Sequence, residues 1–265
     1  MYDVAIIGGG PAGLSAALNV TARGKTCAVL TNQARFSPLY KAPRVDNYSG
    51  MRGATGAAML NTMWREAVEA GAEMLIGRVQ SVMPMGDSFL ISQGQTITEA
   101  RRLILAIGAG APAFFEGEER LLGKGVSYCA TCDGMLYRGR HVAVAGDAPD
   151  KEEEVAFLRG IGVEVTEVQE FKSFVIQGED AVSGVEVDGK TIPCEGVFLL
   201  RRVASPKTLL PGLIYTDDGR YIAVNRRMET NLPGVYTAGD CTGAPLQVAK
   251  AVGEGLVAAQ NAVKG

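Results

Sequence analysis

Cys129-Ala130-Thr131-Cys132-Asp133-Gly134 sets two thiols close in sequence, with an acid beside the second. Thiols at this spacing close into a small disulfide ring, and a neighbouring carboxyl group can hand a proton to a departing thiolate. That is disulfide redox chemistry with its own proton source. Two other readings stand beside it, an inert pair and half of a zinc site. Zinc needs four ligands, and Cys27, Cys194 and Cys241 are isolated while His141 is the only histidine. A disulfide that turns over must also be fed electrons, so the chain needs an element to bring them.

The N-terminal residues supply a candidate. Asp3-Val4-Ala5-Ile6-Ile7 is a nearly continuous apolar run, as expected of a parallel strand covered on both faces. Gly8-Gly9-Gly10-Pro11-Ala12-Gly13 follows, Leu14-Ser15-Ala16-Ala17-Leu18 opens a helix, and residues 26–30 read as a second strand. Gly8 permits the turn, Gly10 lets backbone N–H groups approach a pyrophosphate, and Gly13 lets helix and strand pack closely, with Pro11 and Ala12 between them. The unit predicts dinucleotide binding. Its second strand ends in Leu30-Thr31-Asn32 rather than in an acid, so Thr31 and Asn32 become the candidates for the ribose hydroxyls.

The long segment 35–50 reads as a working loop with Lys41 and Asn47 as candidate cofactor contacts, against the alternative of a solvated surface loop. Met59, Leu60, Met63, Trp64 and Val68 are spaced for one face of a helix over 54–72. Strands are expected at 74–79, 89–92 and 103–106, the last running into Gly108-Ala109-Gly110, where small residues permit close backbone approach. Val79, Gly108 and Ala109 join the candidate cofactor contacts. Near the other end, Gly234-Val235-Tyr236-Thr237-Ala238-Gly239-Asp240 repeats the order of strand, glycine and acid, and residues 246–262 read as a helix. Gly239 and Asp240 suit a sugar or ribityl hydroxyl, while Gln247 and Val248 sit where a helix start aims N–H dipoles.

A length of 265 residues with 47% hydrophobic content predicts two domains. A formal charge of −3 and a pI near 5.4 offer no basic field for nucleic acid or anionic lipid. No basic leader and no apolar run approaching ~18 residues is visible, so a cytoplasmic protein is expected. In that compartment a lone C-x-x-C is more often catalytic than structural.

Together with Gly123-Lys124-Gly125-Val126-Ser127-Tyr128 leading into the cysteine pair, and Gln247-Val248-Ala249 after Gly239-Asp240, these motifs resemble low-molecular-weight thioredoxin reductase over almost the whole chain. The resemblance implies an α/β fold of two Rossmann-like, three-layer domains. An FAD domain would be discontinuous, over 1–112 and 228–265, with a smaller inserted redox domain over 113–227. It also implies FAD as cofactor, thioredoxin or a thioredoxin-like protein as partner, and a homodimer. Cys132 would face the flavin, Cys129 would exchange with the partner disulfide, and Asp133 would serve as the acid.

The inserted segment departs from that family. After the strand at 141–145 the turn reads Gly146-Asp147-Ala148-Pro149-Asp150-Lys151, with one glycine left and a proline that has no N–H to offer. Asp147, Asp150 and Glu152-Glu153-Glu154 set carboxylates where a pyrophosphate would lie. The strand at 163–168 ends in Gln169-Glu170-Phe171-Lys172, where the family carries a histidine and paired arginines. The next apolar run, 173–176, follows too soon for a crossover helix, which needs at least ~10–12 residues. A hairpin is expected around Asp188-Gly189, and a strand at 197–200 feeds Arg201-Arg202, which with Lys207 form a basic island. That island is either a solvated loop or a docking point for an acidic electron carrier.

Lacking the NADPH signatures, the chain is similar to the ferredoxin-dependent flavin thioredoxin reductases. The similarity implies electrons passing from ferredoxin through FAD and the Cys129–Cys132 disulfide to thioredoxin. Competing expectations are an NAD(P)H-dependent reductase, a flavin dithiol oxidase and a non-enzymatic flavoprotein sensor.

Overall fold

A computed structural model describes residues 1–94, 96–108, 114–148, 150–201, 206–217 and 219–264. The chain divides into two compact units, Met1–Gly110 with Ser205–Gly265, and Ala111–Ala204. Among the described residues no helix is long and apolar enough to cross a membrane.

In the first unit β1 (Tyr2–Ile7) buries Val4, Ala5 and Ile6 and gives way at Gly8 to α1 (Pro11–Thr21). Proline at the first helical position costs nothing, since that N–H has no intrahelical acceptor. β2 (Cys27–Thr31) follows, and α2 (Gly56–Glu69) starts at Thr55, whose hydroxyl accepts the Ala58 N–H at 3.1 Å. Next come β3 (Glu73–Ile76), β4 (Ser81–Met85), β5 (Ser88–Gln93) and β6 (Thr96–Leu105). The strand expected over 74–79 stops at Ile76, because Gly77 turns the backbone to φ 154°. β4 buries only Val82, so it carries no alternation to read.

The second unit begins with α3 (Glu118–Leu121), β7 (Val126–Ser127) and the single turn α4 (Ala130–Asp133), which carries Cys132 and has Cys129 as its N-cap. β8 (His141–Ala145), α5 (Lys151–Gly160) and β9 (Glu164–Val168) make one right-sized crossover. β10 (Phe174–Gln177) comes five residues later with no helix between, and pairs antiparallel with β11 (Gly184–Val187) and β12 (Lys190–Pro193). Asp188 at φ 48° and Gly189 at φ 79° make the expected two-residue hairpin turn. β13 (Gly196–Leu199) completes a four-stranded parallel sheet in the order β7-β13-β8-β9.

The chain then returns to the first unit through α6 (Pro206–Leu209), β14 (Val235–Thr237) and α7 (Val248–Ala262). Residues 206–217 and 219–227, expected with the inserted segment, pack here instead. Their bonds explain the shift: Ile222 N–H donates to Cys241 O at 2.9 Å, and the Asn231 side chain bonds both Ile214 N–H at 2.9 Å and Gly212 O at 2.8 Å. The sheet runs β3-β2-β1-β6-β5-β4. β6 is shared, with β5 antiparallel to its first half and β14 parallel to its last residues on the same edge, while β1 takes the other. The jump in chain order between β1 and β6 marks the crevice where such sheets bind ligands, outside the carboxyl ends of the strands.

Two helices from opposite ends of the chain close over that sheet. A Cβ on Gly255 of α7 would lie 2.2 Å from Ala12 O of α1, and Ser15 Oγ donates to Val252 O at 2.8 Å. Gly255→Ala should therefore force the helices apart and lower the unfolding free energy by about 1–3 kcal/mol, as backbone overpacking does. Urea denaturation followed by circular dichroism measures it, and an unchanged midpoint would show that the helices have slack.

Candidate active site: a disulfide ring and a dinucleotide cradle

The glycine turn is built by near-contacts that exclude side chains. A Cβ on Gly8 would sit 2.2 Å from Ala106 O, and one on Gly13 would sit 1.9 Å from Gly8 O. Gly10, by contrast, has open space where its Cβ would be, and caps α1 without any side-chain bond. The N–H groups of Ala12 and Gly13 lie in the first turn, where no intrahelical acceptor exists. This is the geometry that lets a pyrophosphate approach backbone donors and the positive end of a helix dipole. Thr31 has a different part from the one expected of it. Its hydroxyl accepts the Gly9 N–H at 2.9 Å and donates to Asn32 O at 3.1 Å, so it braces the turn. Asn32 stands directly beyond β2, partly buried.

The far end of the chain joins the same edge. Gly239 follows β14 with φ 89°, and its Cβ would lie 2.8 Å from that of Ala12. Asp240 is partly buried; burial holds its carboxyl above the ordinary range, with Lys250 opposing and Glu254 adding to the rise. Lys250 and Glu254, missed in the sequence, fix this corner. Glu254 accepts the Gly239 N–H at 2.8 Å, Lys250 Nζ donates to Gly239 O at 2.8 Å, and the two pair at 3.2 Å. Their spacing of four looked like an ordinary surface pair on a helix. Gln247 and Val248 stand at the start of α7, again without a side-chain cap, and the Asn47 amide donates to Gln247 Oε1. Lys41 is exposed, Val79 buried, and Gly108 lies just past β6 at φ 78°. Ala109 lies outside the described residues. The uncapped helix starts and glycine-only contacts fit an FAD molecule, whose phosphates Ala12 and Gly13 would hold and one of whose hydroxyls Asp240 would meet.

In the second unit Cys129 and Cys132 form a disulfide. Cys129 is 6% exposed, whereas Cys132 is exposed. Donors nonetheless converge on Cys129: the Cys132 N–H points at its Sγ from 3.1 Å and the Thr131 hydroxyl lies 3.4 Å away. Such groups favour a thiolate. Asp133 accepts the Ser127 hydroxyl at 2.7 Å, and Ser127 Oγ accepts the Cys129 N–H at 3.2 Å, tying the acid to the ring. Glu154, read in the sequence as one more charge near a pyrophosphate, is buried and accepts the Ala130 N–H at 2.6 Å. It braces the disulfide turn. Met135 and Leu136 follow the ring 58% and 70% exposed, an apolar pair beside a reactive site.

A cleft of about 420 Å³ opens at the carboxyl ends of β8 and β9, where a nucleotide would enter the second unit. It is lined by Phe115, Gly146, Asp147, Lys151, Glu170 and Arg201, among others. Gly146 meets Leu200 O, which a Cβ would approach to 2.0 Å, and the Ala148 N–H is taken by Leu200 O at 2.9 Å. Arg201 does not belong to a surface island. It is 7% exposed, bonds the fully buried Glu118 through both terminal nitrogens at 2.5 and 2.7 Å, and stacks on Phe115 at 4.6 Å. The partner is 83 residues away in sequence, so nothing local announced it. Arg202 lies outside the described residues, and Lys207 falls in the other unit. Lys151, the other cation of the cleft, pairs with Glu167 at 3.7 Å.

Known proteins share this fold. The family model for pyridine nucleotide-disulphide oxidoreductases matches residues 2–181 and 150–255. A thioredoxin reductase of Listeria monocytogenes is 31% identical, with 100% of this chain and 93% of that protein aligned. That alignment needs 302 positions for a chain of 265 residues, so the relative carries residues absent here. A solved ferredoxin-flavin thioredoxin reductase from Clostridium acetobutylicum has a TM-score of 0.87 at 38% identity, covering 99% of this chain and 97% of that one. A thioredoxin reductase from Gloeobacter violaceus reaches 0.78 at 31%, covering 98% and 93%.

The remaining thiols are shielded. Burial pushes the Cys27 thiol up to about 12 and raises those of Cys194 and Cys241. Because the thiolate is the reactive form, alkylation at pH 8 should label none of the three in the native oxidised protein, and only Cys129 and Cys132 after mild reduction. Mass spectrometry of the labelled peptides checks this; modification of Cys241 before unfolding would contradict its burial.

Proposed function

Because this chain belongs to the pyridine nucleotide-disulphide oxidoreductases, in their thioredoxin reductase branch, we propose that it reduces thioredoxin with electrons from ferredoxin rather than from NADPH. It is a flavin-dependent disulfide reductase with FAD as cofactor. Two reduced ferredoxins each give up one electron; with two protons these convert the thioredoxin disulfide to a dithiol. When bound, the flavin supplies the means of collecting electrons one at a time and releasing them as a pair.

The observation that carries the donor reading is the cleft of the second unit, which is built against an anionic nucleotide. Among the described residues its two cations are already paired with carboxylates, Asp147 and Glu170 line it, and α5 opens with the exposed Glu152 and Glu153. A phosphate about 5 Å from one such carboxylate would be repelled by about 3 kcal/mol at an effective dielectric near 20. Glu170, at the end of β9, has the wrong sign for a 2′-phosphate. The helix that would follow β9 is absent, and the chain passes directly to β10. The structure of the Clostridium acetobutylicum protein supports the same reading by its likeness.

The chain's own residues then have distinct tasks. Cys132 takes up the electron pair and leaves Cys129 as the attacking thiolate, favoured by the Cys132 N–H and the Thr131 hydroxyl. Asp133, held by Ser127, keeps a proton near the departing sulfur. Cys129 is the buried member of the oxidised pair, so exchange through it requires the reduced ring to open. Met135 and Leu136 give an incoming protein an apolar footing beside the ring. A second reading is NADH, since an acid at the end of the second strand is what a ribose diol needs, and Glu170 stands there. The acidic start of α5 opposes its pyrophosphate.

Anaerobic mixing with NADPH, NADH and reduced ferredoxin in parallel separates these readings. Ferredoxin alone should bleach the flavin within seconds; bleaching by micromolar NADPH at a similar rate would overturn the donor assignment. Cys129→Ser should keep a reducible flavin and lose turnover with thioredoxin by about 10³-fold or more, as expected when a nucleophile is removed. Turnover surviving in that variant would transfer the exchange role to Cys132. Met135→Ala with Leu136→Ala should lower kcat/KM for thioredoxin by about tenfold, the cost of losing an apolar anchor, without slowing flavin reduction. An equal loss in both measurements would mean the pair serves the fold instead.

A further inference from the structure

An acidic one-electron carrier needs a cationic surface, and Arg201, buried against Glu118, is not available to provide it. We propose that the loop between β2 and α2 is that docking surface, an inference that rests on the donor reading above. Between Gln33 and Thr55 the chain carries Arg35, Lys41, Arg44 and Arg52 against Asp46 alone, in a protein whose formal charge is −3. All four basic side chains are exposed. Asp46 pairs with Arg44 at 2.8 Å, which leaves the loop with a surplus of positive charge.

The loop is anchored, so these charges are presented from a fixed frame. Val45 is buried and its N–H donates to Ala54 O at 2.9 Å, while Gly53 N–H returns to Val45 O at 2.7 Å. Gly56 N–H donates to Ala42 O at 2.9 Å, and a Cβ on Gly56 would fall 1.7 Å from Leu39 O. Arg44 crosses over Gly53, where an added Cβ would come within 3.4 Å of its Nη2, and so lies beside Arg52. The same loop reaches the cradle, because Asn47 bonds Gln247 at the start of α7. A carrier seated on the arginines would therefore stand next to the cofactor site of its own unit. Electrostatic steering of this kind raises encounter rates and fades as salt shortens the Debye length.

The test uses the FAD-loaded protein and its Arg35→Ala, Arg44→Ala, Arg52→Ala triple variant; Lys41 and Asn47 are left intact as candidate cofactor contacts. Flavin bleaching is followed by anaerobic stopped flow with reduced plant-type ferredoxin, an acidic carrier, across ionic strength, and with reduced methyl viologen, a small cation. The second-order rate with ferredoxin should fall about tenfold in the variant at low salt and converge with the unaltered protein at high salt. The viologen rate should be no slower in the variant. Equal ferredoxin rates at low salt would overturn the docking assignment while leaving the donor intact. Failure of ferredoxin to reduce the unaltered protein, when viologen succeeds, would overturn the donor reading and the surface with it.

Discussion

The close approach of α1 to α7 is the contact on which the architecture turns. Gly255 meets the backbone of Ala12, and Gly239 meets its side chain, at distances that leave no room for another carbon. Bringing the two helices this near sets both of their N-termini at one edge of the sheet, beside the crevice between β1 and β6. The second module, Ala111–Ala204, is inserted between the two segments that make this cradle. The packing that joins the two segments of the first unit rests on a few small residues.

In the inserted unit the comparable constraint is electrostatic. Glu118 is fully buried and accepts from Phe115 N–H, Tyr128 OH and both terminal nitrogens of Arg201. A buried carboxylate is tolerable only when its lone pairs are met in this way, and removal of one partner typically costs about 3–5 kcal/mol. Burial first, and then the charge of Glu118, drive the Tyr128 phenol well above its usual range. Arg201 is therefore held for structure at the mouth of the cleft. The cation that a phosphate would need is occupied by the protein itself.

Much of this was legible in the sequence, and the reason is local. Gly13 is demanded by Gly8 O, five residues away, and Gly8 by its own turn at φ 115°, so the turn can be recognised from its spacing. The hairpin at Asp188-Gly189 needs positive φ at two consecutive positions, and its residues say so. The missing helix after β9 was a matter of counting. What escaped depended on distant partners. Glu154 is one of three successive glutamates, and only the fold turns it toward Ala130. Thr31 offered a hydroxyl to a ribose on paper and gives it to Gly9 in space. The second boundary slipped by some twenty residues because residues 206–217 and 219–227 are held by Cys241 and Asn231, residues that follow them.

On the donor proposed for this protein, the altered cleft and the basic loop are chemically one change. Hydride transfer requires the donor's ring to lie against the acceptor at about 3–3.5 Å in a set orientation, and only a shaped pocket with matching charges can hold it there. A carrier that gives single electrons has a looser demand: it must come near the flavin edge and stay briefly, which surface charge can arrange. On the donor proposed here, a cleft whose arginine is bound inward and whose helix start is acidic is poorly suited to the first task. The basic loop proposed as a docking surface would meet the second, on the unit that carries the dinucleotide cradle. On the donor proposed for this protein, relief from the need to clasp a nucleotide is what allows β9 to run straight into β10 with the disulfide turn still braced by Ser127 and Glu154.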